Sequence, residues 1–193
     1  MLALVLDTST PAVTAGLVDL SDLRVLAEAV EVDARRHGEL LALNLRAVLE
    51  AGEPDTVVVG VGPGPFTGLR VGIVTAAAFA EARGLPVHGV CSLDGLAAPG
   101  VGVATDARRK EVYWAAYDDD AVRVDGPHVS TPERARDSLQ GRQVRGDGAL
   151  LYGFATEQQP RYPQVAELAR AARREQLPLT PLYLRRPDAV PSR

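Results

Sequence analysis

Apolar residues fall into short runs separated by turn-forming residues, and this pattern predicts strands alternating with helices. The run at 2–6 is continuous and stops at Asp7, which is typical of a strand buried on both faces. Two further runs follow after short polar turns, at 13–20 and 25–32. Because only a few residues separate these runs, the three strands are predicted to form a meander.

The rest of the first half predicts helices and strands in alternation. Leucine and valine recur at helical spacing in the first helix, and alanine dominates the second. The predicted helices cover 37–50 and 69–83, and the predicted strands cover 56–61 and 87–90.

A partial copy of this order follows Pro99 and Gly100, which mark a lobe boundary. The copy consists of strands at 101–105, 111–117, 121–124 and 144–148, helices at 132–139 and 165–175, and an extended tail at 179–186. We therefore predict an α/β protein of two ribonuclease H-like lobes, arranged as in the actin-like ATPase superfamily. The N-terminal lobe is predicted at 1–98 and the smaller C-terminal lobe at 99–193.

Composition narrows the class of protein. The 193 residues are 46% hydrophobic and 24% charged, which is an ordinary globular balance. The formal net charge of −4 disfavours a protein that binds nucleic acid on its own. No apolar run reaches the length of a membrane span, and Met1 is followed by no basic leader, so we expect a cytoplasmic protein without a membrane partner.

A polar turn follows the first predicted strand and carries oxygen ligands. Asp7, Thr8 and Ser9 supply a carboxylate, two hydroxyls and consecutive backbone N–H groups. Such oxygens suit Mg²⁺, and consecutive N–H groups suit anions. These three residues are therefore candidates for the first phosphate loop of a nucleotide site. The alternative is a turn held by its own Asp and Ser side chains.

A glycine-rich loop between the predicted fourth strand and second helix is the second candidate phosphate site. Its glycines permit close backbone approach, and a helix N-terminus with free N–H groups binds anions readily. No Gly-Lys-Ser or Gly-Lys-Thr follows, which excludes a Walker A loop. The alternative is a strained connection with Phe66 in the core. The candidate residues are Gly62, Gly64, Thr67 as the helix N-cap, Gly68, and Arg70 as a guanidinium donor.

Five segments, in order along the chain, resemble the TsaB (YeaZ) family. They are LDTS at 6–9, HGELL at 37–41, GPGPFTGLRVG at 62–72, DARRKEVY at 106–113 and PLYLR at 181–185. Gly38 and Pro65 stand where that family commonly has Ser. The joint occurrence of all five segments is far more specific than any one of them.

The resemblance implies a function in tRNA modification. The family takes part in making threonylcarbamoyladenosine at position 37 of tRNAs that read codons starting with A. It implies a non-catalytic subunit that pairs with and activates the transferase TsaD, joins the ATPase TsaE, and reaches tRNA through the complex. No cofactor of its own is expected, ATP or ADP with Mg²⁺ is expected at the complex, and a homodimer is expected when the chain is alone.

The stretch CSLDGL at 91–96 supports a non-catalytic function. In the catalytic relative two histidines, four residues apart on a helix, bind a metal, and the resemblance places Ser92 and Leu96 at those positions. Serine and leucine do not replace imidazole ligands, so neither a metal nor a catalytic residue is expected. His37 suits the start of a helix, and Cys91 suits a buried position. The alternative function is an independent actin-like ATPase or phosphotransferase that uses Asp7, Thr8 and the loop at 62–68.

The first two predicted helices carry the hypothesis of a partner surface. The family packs two helices from each partner as a four-helix bundle. The first helix is apolar over more breadth than one buried stripe requires, and exposed apolar patches usually mark interaction sites. The alternative is that these residues form the chain's own core. The candidate interface residues are His37, Leu41, Leu45, Val48, Ile73, Ala77 and Ala80, of which Leu41, Leu45, Val48 and Ala77 are expected to face outward.

Four basic clusters are candidates for contacts with tRNA phosphates, and a solvated surface is the alternative for each. They lie at 35–36, 108–110, 173–174 and 185–186.

Overall fold

A computed structural model describes residues 1–159 and 161–185 of the chain. Its first sheet has five strands in the order β3-β2-β1-β4-β5. The first three strands are antiparallel neighbours, and β4 and β5 continue the sheet parallel to β1. The strands are β1 (Leu2–Asp7), β2 (Ala12–Asp19), β3 (Arg24–Val32), β4 (Thr56–Gly60) and β5 (Val87–Val90).

Two helices cover one face of this sheet. They are α1 (His37–Leu49) and α2 (Phe66–Arg83), and α2 ends at Gly84, whose φ of 64° supplies a left-handed C-cap. Alternation along β1 turns Leu4 and Leu6 towards these helices, where they join one apolar core. The first lobe is therefore built around the buried stripe of each helix.

The opposite face of the first sheet is covered by a helix from the end of the chain, α5 (Val165–Ala172). Ala3 and Val5 of β1 face this helix and form a second core with it. Val165 lies directly over Gly16 of β2, where an added Cβ would stand 2.9 Å from its methyl carbons. The first sheet is thus a layer between α1 with α2 on one side and α5 on the other.

The second sheet repeats the order of the first four strands. Its order is β8-β7-β6-β9, with β9 parallel to β6 and the other neighbours antiparallel. The strands are β6 (Gly102–Asp106), β7 (Val112–Tyr117), β8 (Arg123–Ser130) and β9 (Val144–Arg145). The short helices α3 (Pro132–Ser138) and α4 (Asp147–Leu151) accompany it, and a 3₁₀ helix, Ser92–Leu96, leads to it from β5.

The two sheets confirm the predicted class, an α/β protein of two ribonuclease H-like, actin-like lobes. The boundary between 98 and 99 stays a prediction. One strand lies later than predicted: β8 begins at Arg123, because the Asp118 carboxylate accepts from the backbone N–H of Asp120 and Val122 and prolongs the turn. Pro127 is tolerated within β8 because this strand is at the sheet edge.

The segment after α5 joins the two lobes. Leu177 exchanges backbone hydrogen bonds with Gly89 of β5, and the Leu182 N–H donates to the Val61 carbonyl. Both leucines pack against the first-lobe core and against the core around Tyr113 and Tyr117. The last predicted tail residue, Arg186, lies outside the described residues.

In the part of the chain that the structure describes, no helix combines the length and the apolar character needed to cross a membrane.

The contact between Gly16 and Val165 gives a test of how α5 packs. Gly16→Ala should lower the free energy of unfolding by about 1–3 kcal/mol, because the new methyl overpacks the contact. Val165→Ala should lower it by a similar amount through reduced burial. The double variant should be less destabilised than the sum of the two single variants by at least about 1 kcal/mol. The methyl added at residue 16 fills the space that the lost methyl groups of Val165 leave.

Urea denaturation of the four proteins measures this coupling. Gly38→Ala is the control, since an added Cβ there meets nothing within 4 Å. Strict additivity of the two changes would show that α5 does not pack over Gly16.

Candidate functional site

The polar turn that follows β1 is buried and is held by its own side chains. Asp7 is 1% exposed, and Thr8, Ser9 and Thr10 are also buried. The Asp7 Oδ1 atom accepts from the backbone N–H of Ser9 at 2.9 Å and from its hydroxyl at 2.7 Å. Thr10 Oγ1 accepts from the Ala12 N–H at 3.2 Å. The groups that were candidates for binding phosphate therefore bind one another.

The glycine-rich loop at 62–68 lies directly against this turn. A Cβ on Gly64 would stand 2.9 Å from Ser9 Cα, and one on Gly68 would collide with the Thr8 carbonyl oxygen. The Thr8 hydroxyl donates to the Gly68 carbonyl at 2.7 Å. These glycines are required so that two backbones of the same chain can touch.

The second oxygen of Asp7 points towards the start of the 3₁₀ helix. Oδ2 lies over the Cα of Gly60, where a Cβ would overlap it, and the Ser92 hydroxyl is nearby. The Gly62 N–H donates to that hydroxyl at 3.0 Å. Burial raises the pKa of Asp7, and the hydroxyls of Ser92 and Ser9 and the charge of His37 offset part of this rise. The carboxyl group thus links β1, the glycine-rich loop and the 3₁₀ helix.

The two candidate phosphate loops pack against each other, and their assignment to a nucleotide site stays a prediction. A phosphate there needs free backbone N–H groups and space between the two loops. The Ser9 N–H is bonded to Asp7, the loops are in contact, and Thr8 and Ser9 are buried. Asp7, Thr8, Ser9, Gly62, Gly64 and Gly68 are therefore brought together as predicted, but as a packed junction.

The start of α2 differs from the prediction in its cap. The N-cap is Pro65, without a side-chain hydrogen bond, so Thr67 lies within the first turn and does not cap the helix. Arg70 is exposed and is used within the chain: its guanidinium stacks 4.0 Å above the Phe66 ring, and Nε donates to the Tyr183 hydroxyl at 3.2 Å. Phe66 and Tyr183 stack with centroids 4.4 Å apart.

The positions that correspond to the histidines of the catalytic relative are closed to solvent. Ser92 and Leu96 are buried, as is Cys91, whose pKa burial raises to about 12. Within residues 1–159 and 161–185, no three His, Cys, Asp or Glu side chains converge as metal ligands.

A polar cluster between the lobes escaped sequence reasoning. Asp94 accepts from the Tyr117 hydroxyl at 2.8 Å and from Arg123 Nε at 3.1 Å, and Arg123 also binds Glu175 at 2.9 Å. Burial raises the pKa of Asp94, and the positive charge of Arg123 opposes the rise. Because the four residues come from the 3₁₀ helix, β7, β8 and the segment after α5, no local spacing indicates the cluster.

The predicted partner residues divide into two groups. Leu41, Val48, Ile73 and Ala80 are buried in the first-lobe core. Leu41 and Val48 therefore do not face outward as expected, because the apolar stripe of α1 covers its own sheet. Leu45 and Ala77 are partly buried, and the His37 Nε2 lies 2.9 Å from the Thr10 carbonyl oxygen.

Two apolar side chains that are absent from the predicted set are exposed on the same helices. Leu43 of α1 is 56% exposed and Val74 of α2 is 65% exposed. Leu43 adds to the apolar breadth of the first helix. Helical periodicity alone does not distinguish the side that faces the core from the side that faces solvent. The assignment of the predicted residues to a partner interface stays a prediction.

Replacing the buried Asp7 carboxyl tests the junction through pH. A raised pKa means that the folded state favours the neutral carboxyl, so stability is lost as the pH rises from below 3.8 through the folded-state pKa. Asp7→Asn keeps an acceptor for Ser9 and removes the buried charge. It should be more stable than wild type at pH 8, with the difference shrinking in acid, as urea denaturation across pH would measure.

Asp7→Ala is the matched control for this prediction. It leaves the Ser9 N–H without its acceptor and should be about 1–3 kcal/mol less stable than Asp7→Asn at every pH, since neither side chain titrates. A difference between Asp7→Asn and wild type that does not change with pH would refute a buried, destabilised charge at Asp7.

Comparison with known proteins places this architecture in a family. The family model described as "TsaD: tRNA N6-adenosine threonylcarbamoyltransferase" matches residues 25–177. An uncharacterised protein of Mycobacterium tuberculosis is 48% identical over 97% of this chain and 93% of its own length. The Escherichia coli tRNA threonylcarbamoyladenosine biosynthesis protein TsaB is 34% identical over 62% of this chain and 56% of its own.

A solved structure gives the same result for the whole fold. YeaZ from Pseudomonas aeruginosa superposes with a TM-score of 0.76 at 28% identity, covering 95% of this chain and all of that one. The family match runs from β3 through α5, and the structural match covers 95% of the chain. The chain therefore belongs to the TsaD family of threonylcarbamoyltransferase-like proteins and is a TsaB (YeaZ)-like member of it.

Proposed function

We propose that this chain is a non-catalytic subunit in the formation of threonylcarbamoyladenosine at position 37 of tRNA, and that it pairs with and activates a TsaD transferase. The packed junction around Asp7 carries the proposal. A family member whose first-lobe loops are closed on each other is suited to holding a partner rather than a substrate. The relatives named TsaB and the match to the TsaD family support the pathway.

The burial of Ser92 and Leu96 supports the non-catalytic part of the proposal. A transferase needs a surface where the acyl group and the tRNA base meet a metal or a general base. Here the Ser92 hydroxyl accepts from the Gly62 N–H and lies beside a buried carboxyl. These contacts fix the backbone, and a substrate has no access to them.

The outer surface of α1 and α2 is the proposed docking site for the transferase. Leu43 and Val74 leave apolar side chains in solvent on neighbouring helices of one layer. Glu39 and Arg46 on α1 and Arg70 on α2 are exposed polar residues of the same helices. An apolar centre with a charged rim is the usual anatomy of an interface core, and it is consistent with the four-helix bundle that the resemblance implies.

The proposal also assigns TsaE, tRNA, the nucleotide and a second copy of the chain. We propose that TsaE and tRNA join the assembled pair, and that ATP or ADP with Mg²⁺ belongs to the complex and not to this chain alone. When TsaD is absent, the same helical surface would pair two copies of the chain, since a self-complementary patch readily forms a two-fold dimer.

Charge substitution at the two exposed apolar residues tests the docking site. Leu43→Asp with Val74→Asp should weaken co-purification with the transferase at least tenfold, because each carboxylate would be desolvated in the interface. The free energy of unfolding should change by less than about 0.5 kcal/mol, since both sites are at the surface.

Leu151→Asp is the control, because Leu151 is 63% exposed on α4 of the second lobe. It should leave the pairing intact. Undiminished pairing of the Leu43→Asp, Val74→Asp protein would exclude this surface.

Reconstitution separates the proposal from an independent ATPase. Modification of an unmodified tRNA should require this chain together with the transferase and the ATPase. The chain alone should neither bind nor hydrolyse ATP with Mg²⁺. Turnover of ATP by the isolated chain, without effect on tRNA modification, would favour the alternative function.

A further inference from the structure

A cleft between the end of α5 and the turn that joins β2 to β3 has a strongly basic lining. Its volume is about 310 Å³, and its walls are Arg170, Arg173, Arg174 and Leu23. The three arginines lie together at the end of α5: Arg170 is in its last turn, Arg173 is its C-cap and Arg174 follows directly. Among the described residues, no carboxylate lines this cleft. Arg170 and Arg174 also line the neighbouring cavity, where Asp94, Glu167 and Glu175 supply carboxylates.

Arg174 presents a fixed positive charge between this cleft and the neighbouring cavity. Its two terminal nitrogens donate to the backbone carbonyls of Ala121 and Asp120, at 2.9 and 3.0 Å. Both acceptors are neutral amides, and they immobilise the guanidinium. A guanidinium has five N–H donors, so the remaining donors of Arg174 are free to bind an anion without a large loss of side-chain freedom.

Arg170 and Arg173 supply the other two charges. Arg170 binds Glu167 through Nε at 2.9 Å and Nη2 at 3.5 Å, and 43% of its side chain stays exposed. Arg173 is exposed, and the structure gives its side chain no ion pair within the described residues. The carbonyls of residues 170 and 171 accept from backbone N–H groups of residues 173–175. These two carbonyls therefore do not need the arginine side chains as donors.

We infer that this cleft binds a phosphate group, and that the group is part of an RNA backbone. Guanidinium donors in a fixed geometry match the oxygens of a phosphate, which offers acceptors in several directions at once. A carboxylate on a protein partner has only two oxygens in one plane and would engage fewer of the three arginines. The choice of RNA as the source rests on the function proposed above.

The experiment compares Arg173→Ala with Arg174→Ala, made together, against Arg134→Ala. Arg134 is an exposed arginine of α3 whose side chain makes no ion pair within the described residues, so it controls for the removal of a surface positive charge. Fluorescence anisotropy measures binding of unmodified tRNA to the chain alone and to its complex with the transferase, over a range of salt concentrations. Inorganic phosphate is titrated against each protein separately.

The double variant should bind tRNA about tenfold more weakly, and the slope of log affinity against log salt should fall by about two, one for each arginine that no longer meets a phosphate. Arg134→Ala should change neither quantity. If tRNA binding is unaffected and the variant no longer binds inorganic phosphate, the phosphate site stands and its source is free phosphate.

Unchanged binding of both tRNA and inorganic phosphate would overturn the inference. If pairing to the transferase is then weaker, the cleft is a docking point for an acidic protein surface. Pairing of the wild-type chain is measured in the same series, so a failure of the proposed function is seen separately from a failure of this site.

Discussion

The position of the Asp7 side chain is the constraint on which the first lobe depends. Its carboxyl group occupies the place where a Cβ of residue 60 would stand, so Gly60 is the residue that permits it. One oxygen holds the turn at Ser9, and the other lies beside Ser92. Three separate parts of the chain therefore meet at one buried acid. Burying a carboxyl is unfavourable unless hydrogen bonds offset the lost hydration. Here only the oxygen that faces Ser9 accepts hydrogen bonds, and the other has no partner among the described residues, so burial still raises the pKa of Asp7.

This junction connects the fold to the proposed function. The loops after β1 and β4 are the two candidate phosphate loops. Here they are in contact, and the start of α2 is fixed by the stacking of Phe66 on Tyr183. The consequence is a rigid platform for α1 and α2, whose outer surfaces carry Leu43 and Val74. The junction around Asp7, where a catalytic relative would be expected to act, thus supports the helices α1 and α2 that form the proposed docking site.

Sequence reasoning identified the strand meander, the two helices after it and the repeat in the second half, because these depend on local periodicity and turn residues. It also grouped Asp7, Ser9 and Gly64 correctly. The sequence does not distinguish glycines that make room for a ligand from glycines that make room for a neighbouring backbone. Either close approach requires a residue without a Cβ. It expected Leu41 to face outward because an apolar stripe looks the same whether it covers its own sheet or a partner. The Asp94 and Arg123 cluster depends on tertiary placement alone.

The packing of α5 has a consequence for the order in which the protein forms. Ala3, Val5 and Val58 belong to strands made early, yet the helix that covers them is made only after the whole second sheet. As the nascent chain leaves the ribosome, the first sheet exposes one apolar face to solvent until α5, which ends at residue 172, has emerged. All four strands of the second sheet are synthesised before then. The core between the first sheet and α5 is therefore the last part of the first lobe to form. Until it forms, the exposed apolar face is accessible to chaperones and prone to aggregation.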